Sequence, residues 1–156
     1  MSITNGYIEK TGFKIFKKFL GCFPADLQPK TRRTNFSIVF NLSKHNEKGT
    51  HFVAIYTDKE KLIYFDSFGE PIMNNLIQNF VNKHLKEKKF LFNKTKIQHD
   101  LSSFCGIFCL SFLAAQENQI PLKEYLNNFD KTDLMLNDKI GTNVLKSLIY
   151  YRNKNN

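Results

Sequence analysis

The chain of 156 residues has no tryptophan, three cysteines and four prolines. Three cysteines with no Cys-x-x-Cys pair argue against a disulfide framework or a structural zinc site. No apolar run reaches transmembrane length and no signal peptide is apparent, so a soluble protein of a reducing compartment, not secreted and not membrane-bound, is expected. Internal repeats, linkers and low-complexity blocks are missing too, which leaves one domain spanning residues 1–156. Acidic residues are scarce, with 14 Asp and Glu against 23 Lys and Arg, a net charge of +9. Such a surface attracts polyanions, but positive charge alone does not make a nucleic-acid binder.

What is present is a Phe-rich globule with 16 phenylalanines. Met1 to Tyr7 read as a loose terminus. Phe13, Phe16 and Leu20 share a helical face, although an extended segment fits them as well. The stretch from Gly21 to Pro29 reads as a punctuated connection. Residues 36–42, 51–56 and 62–66 are rich in β-branched and aromatic types and are joined by polar turns, which predicts an antiparallel meander. Ile72, Leu76, Phe80 and Val81 repeat at helical spacing through Leu85. A further strand over 90–92 and 94–98, a helix opened by Pro121 over 122–129, and a last helix over 140–151 complete an α+β chain.

The segment from Gln98 to Ala115, QHDLSSFCGIFCLSFLAA, organises the rest. Ile107, Phe108, Leu110, Phe112 and Leu113 cover every side of a helix, which belongs in an interior. Ser102, Ser103 and Phe104 read as its capped start. Cys105 then falls in the first turn, where unpaired N–H groups and the helix dipole stabilise a thiolate. Free cysteine is usually just a small buried hydrophobe, and Cys109, one turn further in, fits that role better. Cys22 reads as a bystander. Gly106 removes a side chain where a substrate backbone would approach. Gln98 carries an amide able to point back at the sulfur.

Partners for Cys105 come from the meander. His45 and His84 sit among lysines and read as solvated, and the adjacency of His99 to Gln98 says little. His51 opens one strand and Asp66 ends the next. In an antiparallel pair those two positions fall at the same edge of the sheet, so the topology itself brings His51 to Asp66. A rim position with a fixed backbone suits a general base.

The order His51, Asp66, Gln98, Cys105, set in GTHFVAIY, YFDSFGEP and QHDLSSFCGIFCLSFL, resembles the adenovirus protease (adenain) superfamily of cysteine peptidases, particularly those of Polinton/Maverick elements and related DNA viruses. The resemblance runs from about Phe19 to Ala115 and includes FLGCFPADLQP. SUMO and ubiquitin-like-protein peptidases share the same order of residues. They typically place Asp directly before the cysteine, where this chain has Phe104, and the six residues between Gln98 and Cys105 match the adenain spacing. Phe52 stands where the family usually has Trp. No cysteine between Lys83 and Gln98 matches the one with which adenovirus enzymes bind an activating peptide.

The resemblance implies a papain-like/adenain-like cysteine protease fold, with a central buried helix bearing the nucleophile, a mostly antiparallel sheet and further helices around it. By the same resemblance Cys105 is the nucleophile, His51 its base, Asp66 the residue orienting His51, and Gln98 the oxyanion-hole side chain. It implies an endopeptidase that cleaves viral or element-encoded capsid and core precursors after small residues such as Gly. Such an enzyme is a monomer acting on polypeptide in the virion or inside the host cell, in nucleus or cytoplasm. The chemistry needs no metal or organic cofactor, while DNA or a viral peptide remain as activators. Two alternatives stand beside it: a peptidase of ubiquitin-like modifiers, and a catalytically silent DNA-binding protein on the same fold. For DNA, the expected phosphate contacts are Lys30, Arg32, Arg33, Lys86, Lys88, Lys89, Lys94 and Lys96.

Overall fold

A computed structural model describes residues 3–43 and 51–155. Its sheet has five strands in sequence order: β1 (Phe19–Pro24), β2 (Phe36–Asn41), β3 (Phe52–Thr57), β4 (Lys61–Phe65) and β5 (Lys89–Phe92). The inner three form the expected antiparallel meander, with Ile38 opposite Ile55 and Ile55 opposite Tyr64. The outer two run parallel to their neighbours.

Side chains alternate across a strand, so the meander makes two cores. Phe36, Ile38, Phe40, Val53, Ile55, Leu62 and Tyr64 face α2 (Asn75–Leu85) and its Ile77, Phe80 and Val81. Val39, Ala54, Ile63 and Phe65 face α3 (Cys105–Glu117). There Phe65 stacks on Phe112 with ring centroids 4.6 Å apart. Such aromatic pairs contribute roughly 0.5–1.5 kcal/mol beyond the area they bury.

The other sides of α3 are covered by α1 (Asn5–Ile15), α4 (Leu122–Leu126) and α5 (Leu136–Asn155). This is why its sequence is apolar all round. The α5 contact depends on Gly141, where a Cβ would come within 2.9 Å of the Phe108 ring. On the α4 side, the Tyr125 hydroxyl lies 2.6 Å from that of Ser111 in an otherwise apolar interior.

Several boundaries differ from the sequence expectations. Residues 5–15 are helical because the Thr4 hydroxyl accepts a bond from the Tyr7 N–H and starts α1. Its buried face is Ile8, Gly12 and Ile15, while Phe13 is exposed and Phe16 and Leu20 lie past the helix. The supposed connection after Gly21 contains most of β1. That strand lies at the sheet edge, where Pro24 is tolerated, and Gly21 at φ +127° accompanies a register shift between Phe19 and Cys22.

In α2 the Asn74 side chain accepts bonds from the Leu76 and Ile77 N–H groups, so Ile77 takes the buried position and Leu76 is exposed. Residues 94–98 form a loop, not a strand. The last helix is longer than periodicity suggested, and α4 is shorter.

Candidate active site

Three chain segments meet where β3 begins, β4 ends and α3 begins. His51 sits one residue before β3, its carbonyl accepting from the Leu42 N–H, which ties it to β2. Asp66 follows β4 and is 4% exposed. Its Oδ1 lies 2.8 Å from His51 Nε2 and also accepts from the Phe68 N–H at 2.9 Å. The Phe68 ring stacks on the imidazole, with centroids 4.8 Å apart. The pairing read from strand topology is therefore present, and a stacked aromatic ring fixes the plane of the imidazole.

With Nε2 on Asp66, only Nδ1 is left for Cys105. Nδ1 is buried with no formed hydrogen bond among the described residues. Burial disfavours the imidazolium, but Asp66 and, to a smaller degree, nearby Cys105 favour it more strongly, and the ring's pKa rises to about 9. The ring thus feels the Cys105 side chain, although no hydrogen bond is formed at Nδ1 among the described residues. That is common in substrate-free sites.

Cys105 is the first residue of α3, and no side chain caps that terminus. The expected capping by Ser102 and Ser103 does not occur. The Ser102 hydroxyl accepts instead from the Phe104 N–H at 3.1 Å and lies 2.7 Å from Asp138 of α5. The first-turn N–H groups of α3 thus receive no side-chain oxygen. They are free to polarise a sulfur or a developing oxyanion. The other cysteines differ: burial pushes the Cys22 thiol up to about 12 with help from Glu9, and the fully buried Cys109 goes well above the ordinary thiol value.

The expectation for Gly106 is corrected. A Cβ there would meet Ile8 at 3.1 Å and Ile3 at 3.4 Å, so the glycine admits the N-terminal segment rather than a substrate.

Gln98 is 1% exposed. Its Oε1 accepts from the Ser67 hydroxyl, and its Nε2 donates to the Ser102 carbonyl at 2.8 Å. The Ser67 carbonyl in turn accepts the N–H groups of Ile97 (2.9 Å) and Gln98 (3.0 Å). Asn93, equally buried, accepts the Asp66 N–H through Oδ1 and donates through Nδ2 to the Asp66 carbonyl. Gly69, at φ +71°, closes the turn after Asp66. A Cβ there would come within 2.8 Å of the Lys96 backbone nitrogen. Sequence reasoning missed Ser67, Phe68 and Asn93. Ser67 and Phe68 looked like ordinary turn residues after a strand, and nothing local marks Asn93.

The other histidines lie elsewhere. His99 Nδ1 accepts from the Leu101 N–H and shapes its own loop. His84 is buried, not solvated: it packs on Phe36 and Phe80, and burial with three nearby lysines lowers its pKa. His45 lies outside the described residues. No group of three or more His, Cys, Asp or Glu among the described residues has the arrangement to hold a metal ion.

The basic residues are not equivalent. Lys30, Arg32, Arg33, Lys86, Lys89 and Lys94 are exposed. Lys88 is engaged internally, donating to the Thr34 carbonyl and to Thr57 Oγ1. Lys96 pairs with Asp100 and lies 5.7 Å from the centroid of the Phe68 ring, beside the site.

No family model and no curated protein sequence matches the chain. Among solved structures, one of the ASFV pS273R protease aligns with a TM-score of 0.59 and 18% identity, over 90% of this chain and 67% of that one. A second, selenomethionine structure of the same protease aligns at 0.52 and 18%, over 70% and 44%. A structure of the SUMO protease Ulp1, with its catalytic cysteine oxidized to a sulfinic acid, aligns at only 0.41 and 20%, over 72% and 54%. The chain thus spans between about two fifths and two thirds of the pS273R protease chains. What it shares with them is the fold: a mixed α+β chain with helices around a five-stranded sheet.

Proposed function

We propose that the protein is a cysteine endopeptidase in which Cys105 is the nucleophile, His51 the general base and acid, Asp66 the partner of the imidazolium, and Gln98 an oxyanion donor. The observation that carries this reading is the meeting of an uncapped helix N-terminus bearing Cys105 with the His51–Asp66 pair. The proton of the Cys105 thiol resides on His51 as an imidazolium, and the thiolate attacks a peptide carbonyl carbon. The oxyanion so formed accepts from the Cys105 N–H and the Gln98 amide. The imidazolium protonates the leaving amine as the C–N bond breaks and a thioester remains. Water then gives its proton to His51 and attacks the thioester, releasing the carboxylate and the thiol.

Protease structures of the same fold support a polypeptide substrate, and the adenain resemblance suggests viral or element-encoded precursors cut after small residues. The test is hydrolysis of a peptide library by wild type, Cys105→Ala and His51→Ala. Turnover by wild type alone, with both variants folded, supports the reading. Equal turnover by all three rejects it. A panel of ubiquitin-like probes with an electrophilic C-terminus, labelled at Cys105 in preference to peptide substrates, would favour the modifier-peptidase alternative.

Phosphate binding is a second, compatible proposal. It is favoured by a cavity of about 480 Å³ lined by Lys17, Lys18, Arg32, Arg33, Thr34 and Asn35, with no acidic residue. DNA bound through phosphates there would show no sequence preference. Its affinity would fall with salt at a log–log slope of about −0.9 per phosphate contacted. Titration with unrelated duplexes at two salt concentrations checks this, using wild type and Arg32→Gln/Arg33→Gln. Binding indifferent to both salt and the substitutions would rule it out.

A further inference from the structure

We infer that Ser67 is a positioning residue that holds the Gln98 amide in place, and that the dipeptide Asp66–Ser67 therefore positions both the base and the oxyanion donor. The inference rests on the peptidase reading. An amide side chain presents one acceptor and one donor end, and turned over it would aim a lone pair at the oxyanion. Ser67 is fully buried and holds Gln98 at two points and its neighbour Ile97 at a third: its carbonyl accepts the backbone N–H groups of Ile97 and Gln98, and its hydroxyl donates to Gln98 Oε1.

With Oε1 held by a donor, Nε2 is forced to the opposite side. One of its two hydrogens goes to the Ser102 carbonyl, three residues before Cys105, and the other has no acceptor among the described residues. A buried amide hydrogen left over on an atom bound just ahead of α3 is a donor awaiting an acceptor. In the flipped amide, the Ser102 carbonyl would face Oε1, two acceptors without a proton between them. The Ser102 carbonyl, which can only accept, rejects that orientation, and the Ser67 hydroxyl at the other end holds the amide in place. On the other side of the dipeptide, Asp66 holds His51, and Asn93 clasps the Asp66 backbone through both its N–H and its carbonyl.

The test compares wild type, Ser67→Ala and the hydroxyl-retaining Ser67→Thr by steady-state kinetics, Cys105 alkylation, and NMR of the Gln98 side-chain amide. Ser67→Ala should lower kcat by about 10–100-fold, less than the ~10²–10³ typical of losing a whole oxyanion donor. KM, the alkaline limb of the pH profile and the alkylation rate should stay unchanged, because the Cys105–His51–Asp66 chain is untouched. The shifts of the two Gln98 amide protons should move, and Ser67→Thr should restore both them and kcat.

Wild-type kcat in Ser67→Ala overturns the inference. So does a loss of kcat accompanied by a moved alkaline limb and slowed alkylation, which would mean that Ser67 acts only through Asp66. Should wild type hydrolyse no peptide, the peptidase reading fails, but the amide spectrum still decides. Shifts altered by Ser67→Ala support the hold on Gln98, and unaltered shifts refute it.

Discussion

The two ends of α3 are built in opposite ways. At its C-terminus nearly every orphan carbonyl finds a donor. Asn118 N–H reaches Ala114 and Ala115, Gln119 N–H reaches Gln116, Ile120 N–H reaches Ala115, and the Asn118 side chain returns to Ala114. The bonds from Gln119 and Ile120 make a Schellman motif, with Gln119 taking the left-handed conformation at φ +57°. The N-terminus has no side-chain cap, although two serines stand within three residues of it. One of them, Ser102, is diverted to Phe104 and Asp138. Unpaired N–H groups at a helix start ordinarily cost stability. The helix is held by its packing and its closed far end, which leaves the N–H groups of the near end open.

This contrast can be broken at either end. The largest effect is expected at the proposed nucleophile: Cys105→Ala should remove hydrolysis to the detection limit with an unchanged circular dichroism spectrum and melting curve. Next is Asp66→Asn, which keeps a bond to His51 but loses the charge behind the imidazolium. It should lower kcat by about 10²–10⁴ with a smaller change in KM, as for the acid of related triads.

The pH dependence follows from the raised pKa of His51. In the folded protein the ring stays protonated to about pH 9, above its ordinary 6.5. The stability contributed by its pairing is complete below about 6.5 and is lost as pH rises through about 9. Activity should fall over the same alkaline range, because a neutral imidazole cannot protonate the leaving amine. Melting temperatures and kcat measured from neutral pH to above 9 check both, and in Asp66→Asn the alkaline limb should move to lower pH.

The smallest effect lies at the other end. Gln119→Gly relieves a left-handed backbone at an exposed position and should raise stability by roughly 0.5–1 kcal/mol. Activity should not change. A loss of activity there would mean that the two ends of α3 are not independent.

Sequence patterns disclosed some of this architecture and hid the rest, for physical reasons. Strands β2 to β4 were legible because buried strands carry β-branched and aromatic runs between polar turns. The start of α3 was legible because an all-round apolar helix must be interior, and the His51–Asp66 contact because antiparallel topology brings a strand's start beside the next strand's end. Strand β1 was obscured by Gly21 and Pro24, which an edge strand with a register shift tolerates and an inner one would not. The burial of His84 could not be foreseen among lysines, since the aromatic rings of Phe36 and Phe80 come from β2 and from its own helix. The supports of the site were the least visible. Asn93 reaches Asp66 across 27 positions and Ser67 reaches Gln98 across 31, contacts between loops that leave no periodic trace.

The most direct test of the central claim is the rate at which each cysteine of the folded protein reacts with iodoacetamide at neutral pH, read by peptide mass spectrometry. The account predicts that Cys105 is alkylated well ahead of Cys22 and Cys109, whose thiols burial keeps protonated, and that His51→Ala removes the lead. Alkylation of all three at one rate, or a Cys105 rate indifferent to His51, would contradict it.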